Sequence, residues 1–166
     1  MPVEVLIEEE AWTRQGLDRL SLKAFKQVML YFEYDECKFE VSILGCNETK
    51  IKALNAGFCS KDSATNVLSW PARERRSQLT GVAPERLNPN IDVFVGDIAI
   101  SYETCWDEAK GAEKNFAFHV SHLLIHGLLH LLGFHHGNDL DATVMERIEI
   151  EILGKMGIDF QYTDMG

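Results

Sequence analysis

The chain predicts an α+β fold: a small mixed four-stranded sheet packed by about five helices, with a buried central helix that carries most of the histidines. Three observations predict it. Alternating apolar and polar residues recur at Val3–Glu8, Cys37–Leu44, Thr65–Trp70 and Ile91–Tyr102, the period of half-buried strands. Segments of helical period lie between and after them, giving the order β-α-β-α-β-loop-β-α-α-α. The stretch from Ala112 to Leu132 is apolar nearly all round, as befits a helix enclosed by other elements.

Each element has its own grounds. Val3–Glu8 alternates apolar and acidic residues. From about Thr13 to Tyr34, Leu17, Leu20, Phe25, Val28, Met29 and Phe32 form an apolar helical stripe, which Asp18 or Ser21 interrupts or caps. In the second strand Phe39, Val41 and Ile43 share a side. Asn47 is placed to cap a short helix with Ile51, Leu54 and Ala56. Pro71 closes the third strand. Gly96 inside the fourth predicts a bulge or a close backbone approach. Asp97, set between apolar neighbours, is expected to be buried and to orient a loop or a histidine. Glu103–Gly111 reads as a short helix. Asp139 or Asp141 is expected to cap a last helix, with Val144, Ile148 and Ile152 on its inner face and Gly154 at its end.

Length and composition bound the reading. The 166 residues suit one compact domain, 1–166, and 46% hydrophobic content is ample for a core. No apolar run approaches the roughly 20 residues that span a bilayer. The acidic start, Met-Pro-Val-Glu-Val, lacks the pattern of a secretory leader. Cys37, Cys46, Cys59 and Cys105 are scattered with no C-x-x-C pair. That predicts reduced thiols in a cytoplasm, not a disulfide framework or a thiolate metal site. A net charge of −10 opposes non-specific nucleic-acid binding. Any contact with RNA must use a local basic patch. Ala72–Asn90 offers one, with Arg73, Arg75, Arg76 and Arg86. Such a run is either a solvated loop or a phosphate-facing surface.

All six histidines fall between His119 and His136. His126 and His130 are four apart, so they stack on one helical face. Gly133 can take a left-handed conformation and turn the chain. His136 then follows as a third ligand. A lone histidine on an apolar helix is usually a core residue with a satisfied hydrogen bond. Three at ligand spacing, with a glycine at the turn, predict a metal site, and three protein ligands leave a position open for water. The pattern H-x-x-x-H-x-x-G-x-x-H matches the metzincin zinc proteases except that Gly127 stands where their general base Glu follows the first histidine. Three imidazoles suit zinc, and also nickel or copper. His119 and His122 share the face of His126 and are expected to back the ligands or to be structural. His135 is a candidate proton carrier.

The run His126-Gly-Leu-Leu-His130-Leu-Leu-Gly133-Phe-His135-His136 resembles the signature of the bacterial YbeY family, endoribonucleases of ribosomal RNA maturation. Lys61-Asp62-Ser-Ala-Thr65-Asn66-Val-Leu-Ser69-Trp70-Pro71 and Gly96-Asp97-Ile-Ala-Ile-Ser101 resemble two further blocks of that family, and Met145-Glu146 through Leu153 resembles its C-terminal helix. The four blocks run in order from about residue 58 to 153. The resemblance implies a cytoplasmic metalloprotein with one Zn2+ per chain on His126, His130 and His136. It implies cleavage of single-stranded RNA in 16S rRNA 3′-end maturation and ribosome quality control. It implies ribosomal particles, a small-subunit ribosomal protein and an Era-type GTPase as partners, and no membrane. Two positions depart from the family. His135 stands where the family has Asp, and Phe58-Cys59 where it has Tyr-Arg. Cys59 cannot replace a permanently charged guanidinium on phosphate, which leaves Arg73 or Arg75 as arginines that could reach in.

The expected chemistry is metal-assisted phosphodiester cleavage. Lys61 and the arginines at 73–76 would offset transition-state charge. His135 and metal-bound hydroxide are the two options for the base. The rivals are a non-catalytic ribosome-assembly factor with a structural metal and, against the grain of Gly127, a zinc peptidase.

Overall fold

A computed structural model describes residues 2–59 and 65–159, with backbone alone at 58 and 59. Four strands form one sheet in the order β1-β2-β4-β3. They are β1 (Val3–Ile7), β2 (Glu40–Cys46), β3 (Val67–Pro71) and β4 (Phe94–Ser101). β1, β2 and β4 run parallel, and β3 pairs antiparallel with β4. The sheet is therefore mixed, as the alternating segments predict. Pro71 falls on an edge strand, where a missing N–H costs no ladder bond.

Six α-helices cover the sheet among the described residues: α1 (Ala11–Gln15), α2 (Leu17–Tyr31), α3 (Glu48–Cys59), α4 (Tyr102–Gly111), α5 (Phe116–Leu131) and α6 (Asp139–Lys155). The extra one arises because the expected helix from Thr13 to Tyr34 is broken. Gly16 sits at φ +70°, ending α1 in a left-handed cap and starting α2. The break lets Trp12 turn fully inward and donate its Nε1–H to the Cys46 carbonyl at 3.1 Å. In α2 the buried set is Leu17, Ser21, Ala24, Phe25, Val28 and Met29, one helical face. Asn47 caps α3 as expected, its Oδ1 accepting from Lys50 N–H at 2.8 Å.

Other boundaries moved for identifiable reasons. β4 begins at Phe94, not Ile91, because Asn88–Asp92 folds into a turn in which Asn88 N–H donates to Asp92 Oδ2 at 2.8 Å. Gly96 does make a close approach: a Cβ there would lie 2.4 Å from the Trp70 carbonyl oxygen, and the β2–β4 register slips beside it. The slip resets the alternation, so Asp97 is exposed, not buried. α6 is capped by Asn138, whose Oδ1 accepts from Asp141 N–H at 2.9 Å, and not by Asp139 or Asp141. Cys37, Cys46 and Cys105 are free thiols. No described helix is long and apolar enough to cross a membrane.

α5 is the enclosed helix. It packs on α2, α4, α6, β3 and β4. Its buried residues run from His119 to Ile125 without a gap and resume at Gly127, Leu128, Leu129 and Leu131. Asn115 caps its start, accepting from Phe118 N–H at 3.1 Å. A Cβ on Gly127 would already press on Ile98 and Ser69 at 3.1 Å. Position 127 thus faces the sheet at close quarters.

Candidate metal centre

The end of α5 gathers three imidazoles. His126 and His130 lie one turn apart, their rings edge to face with centroids 4.5 Å apart and their Nε2 atoms 3.0 Å apart. Past α5 the chain turns at Gly133, φ +105°, and returns His136 to within 5.0 and 5.4 Å of the His130 and His126 rings. The turn is crowded. A Cβ on Gly133 would stand 2.8 Å from the Arg75 carbonyl, so only glycine fits both the space and the backbone angle. One nitrogen from each ring lies within 4.8 Å of the others. Two nitrogens bound to one tetrahedral ion stand about 3.4 Å apart, so the trio is near ligand geometry.

The tautomers fit an ion as well. His130 Nδ1 lies 3.0 Å from the Phe134 carbonyl oxygen, which can only accept, so this nitrogen carries the proton. Burial, aided by the charge of His126, pushes the His130 imidazole down to about 4, so the ring is neutral near pH 7. His126 Nδ1 lies 2.5 Å from Glu149 Oε1. His126 thus gives its Nδ1–H to Glu149, and its Nε2 stands 3.0 Å from the Nε2 of His130. Two imidazole nitrogens at that distance need one cation between them, a proton or a metal ion. The three histidines can hold a metal ion.

Glu149 was not foreseen from the sequence. It lies on α6, is fully buried, and touches His126 with one oxygen and His122 with the other at 3.5 Å. Burial would raise its pKa, but the hydrogen bonds from His122 and His126 outweigh that and hold it below the ordinary value. Burial lowers His122, with Glu149 opposing. A signal was available: Met145, Ile148, Glu149, Ile152 and Leu153 form the buried face of α6, and Glu149 is the one charge in it. His119 makes a separate pair, its Nε2 2.9 Å from Glu108 Oε1, and Asn66 donates to the same carboxylate at 3.1 Å.

His135 stands apart from the trio. Its Nδ1 accepts from Gly137 N–H at 3.3 Å and its Nε2 lies 3.3 Å from Asp141 Oδ2. It lines a cleft of about 370 Å3 with Arg76, Ser77, Gln78 and Asn138. Lys61 lies outside the described residues, and so does the side chain of Cys59.

Arg73 and Arg75 do not reach in. Arg73 binds both oxygens of Asp92 at 2.7 and 3.1 Å. Arg75 is buried, donates to Asp92 at 3.0 Å, and caps the end of α5 through the Leu131 carbonyl at 2.9 Å. The Arg73 hydrogen bond leads the causes that hold Asp92 far below the usual carboxylate range. This part of the arginine loop is a clasp on α5. Arg76 alone of the three is exposed, with Glu74 at 3.7 Å.

The family described as Endoribonuclease YbeY matches residues 6–157. The chain belongs to the YbeY family. Proteins named Endoribonuclease YbeY from Ruegeria sp. (strain TM1040) and Ruegeria pomeroyi are each 44% identical to it over 98% of this chain, covering 96% and 99% of their own lengths. One from Paracoccus denitrificans is 42% identical over 98% of this chain and 90% of its own. The solution structure of TM1509 from Thermotoga maritima matches with a TM-score of 0.56 at 21% identity, over 93% of this chain and 91% of that one. That likeness supports the α+β fold alone. Endoribonucleases of this family are hydrolases of RNA, so the chain is assigned to that enzyme class.

Proposed function

We propose that the protein is a zinc-dependent endoribonuclease that cleaves single-stranded RNA, folded as one domain over 1–166 with one Zn2+ on His126, His130 and His136. The observation that carries this is the convergence of three imidazoles at the end of a buried helix, with the tautomer of His130 fixed by the Phe134 carbonyl. When bound, such an ion supplies Lewis-acid stabilisation of phosphoryl charge and lowers the pKa of a water. The chain's own residues do the rest. Phe134 O orients His130. Asp141 orients His135, our candidate to carry a proton at the edge of the cleft that Arg76 shares. Lys61 is our candidate to offset charge on the transition state. Gly127 disfavours a peptidase, because it stands close against the sheet and brings no carboxylate to act as base.

By family, the substrate is ribosomal RNA, with work at the 3′ end of the small-subunit rRNA and in ribosome quality control. The partners would be ribosomal particles, a small-subunit ribosomal protein and an Era-type GTPase, in the cytoplasm. The test is elemental analysis of purified protein beside cleavage of an unstructured RNA oligonucleotide. Wild type should carry about one zinc per chain and cleave. His130→Ala, with unchanged circular dichroism, should do neither. Cleavage that survives both this substitution and a chelator would sink the reading.

A further inference from the structure

Two carboxylates are buried among the described residues, Asp92 and Glu149. Asp92 lies between two guanidinium groups, so its charge is answered. Glu149 is answered by imidazoles instead: His126 Nδ1 at 2.5 Å and His122 Nε2 at 3.5 Å. Burying a carboxylate is costly, and here hydrogen bonds from two imidazoles, not guanidinium groups, offset the cost. A carboxylate placed this way gains when positive charge arrives on the far side of the His126 ring. That far side is Nε2, the atom turned to His130.

Resting on the ligand set proposed above, we infer that Glu149 is a positioning residue of the metal centre. By accepting the Nδ1 proton it fixes His126 in the tautomer that offers Nε2 to the ion. By its charge it makes that nitrogen a stronger ligand. His130 obtains its tautomer from a neutral carbonyl, Phe134 O, so the two ligands are oriented by acceptors of different strength. Partners that hold a ligating histidine in this way are worth roughly 10–100-fold in metal affinity. His122 holds the second oxygen of Glu149 and keeps the carboxylate turned to His126. His122, His126 and Glu149 also lie close enough to hold an ion themselves. Such an ion would meet His126 on its Nδ1 side and use neither His130 nor His136, which leaves the convergence of His136 on the other two rings without a role.

The test compares wild type, Glu149→Gln, Glu149→Ala and His130→Ala for zinc affinity, by competition with a chromophoric chelator, and for melting temperature without metal. Glu149→Gln keeps the shape and an acceptor but loses the charge. Both Glu149 variants should bind zinc about 10–100-fold more weakly, Ala more so than Gln. The melting shift that zinc produces should shrink in step. A merely structural carboxylate would lower the metal-free melting temperature and leave zinc affinity alone, and that result overturns the inference. Should either variant fail to fold, wild type loaded with 113Cd and 15N-labelled histidine decides the matter. Coupling to His126 Nε2, with the proton on Nδ1, is expected, and coupling to Nδ1 overturns it. If wild type binds no ion, the ligand set fails and this inference with it. If wild type binds, His130→Ala does not, and both Glu149 variants match wild type, this inference alone fails.

Discussion

In the N-terminal half of α5, His119 and His122 are buried, and each faces a carboxylate from another helix, Glu108 and Glu149. In the C-terminal half, His126 and His130 are only partly buried and face each other. The pairs are three and four positions apart, and both spacings put two rings on one helical face. What differs is the environment. His119 spends its Nε2 on Glu108. His126 and His130 spend Nδ1 on Glu149 and Phe134 O, which frees Nε2, and the Gly133 turn adds a third ring. Helical spacing brings imidazoles to one face, and the hydrogen bonds on their outer nitrogens decide whether they form a site.

The comparison breaks most visibly in activity. His126→Ala should reduce RNA cleavage by roughly 10³-fold or more, since a lost metal ligand removes the charge that the reaction needs. His119→Ala should leave single-turnover cleavage within about 10-fold, lowering stability instead, by about 1 kcal/mol for a broken part-buried hydrogen bond. Equal loss of cleavage in the two variants, both folded, would erase the distinction between the halves.

Much of this division was legible in the sequence. The histidine spacing, the turn glycine and the apolar surround of α5 are local patterns, and the strands have a clear period. What was not legible depends on contacts between distant segments. Asp92 and Arg75 meet across 17 positions and His126 and Glu149 across 23, and no local pattern joins them. The charged run at 73–76 looked available to phosphate, but two of its arginines are spent on one carboxylate. Asp97 was misplaced because the slip at Gly96 changed which face it occupies. The break at Gly16 was missed because the apolar stripe continues past it.

The two halves also respond to pH. His122 and His130, one from each half, both have lowered pKa values, chiefly through burial. The folded state therefore binds fewer protons than the unfolded chain below the ordinary histidine value of about 6.5. Stability of the metal-free protein should be constant above that pH and fall between it and the His130 value of about 4. The slope expected from each such group is on the order of 1 kcal/mol per pH unit. Glu149 has the opposite charge type but the same direction of shift. Its contribution is present above about 4.5 and is lost below it, so it adds to the fall only at lower pH. Denaturant melts across this range check the prediction. Added zinc should steepen the fall and carry the His130 share to lower pH, because the ion keeps that nitrogen unprotonated in the folded state while the unfolded chain still takes up its proton, and should leave the His122 share. Zinc that leaves the whole slope unchanged would mean that the C-terminal half does not hold the ion.

The smallest effect separates the two glycines that flank α5. Gly111 ends α4 with nothing within 4 Å of the place a methyl would take, while Gly133 follows α5 at φ +105° with Pro84 and Arg75 within 2.8 Å. Gly111→Ala should be neutral or stabilising by about 0.5–1 kcal/mol, since helix propensity rises and nothing clashes. Gly133→Ala should cost about 1–3 kcal/mol from the left-handed backbone alone, before the contact with the Arg75 carbonyl is counted. Urea unfolding of the metal-free proteins measures both. The same pair reports on the site. Because His136 follows this turn by three residues, Gly133→Ala should also weaken zinc retention, and Gly111→Ala should not. A Gly133→Ala protein that is less stable yet binds zinc as tightly as wild type would show that the turn supports the fold without setting the place of His136. The third ligand would then be carried by the segment beyond the turn, where Asn138 anchors the start of α6.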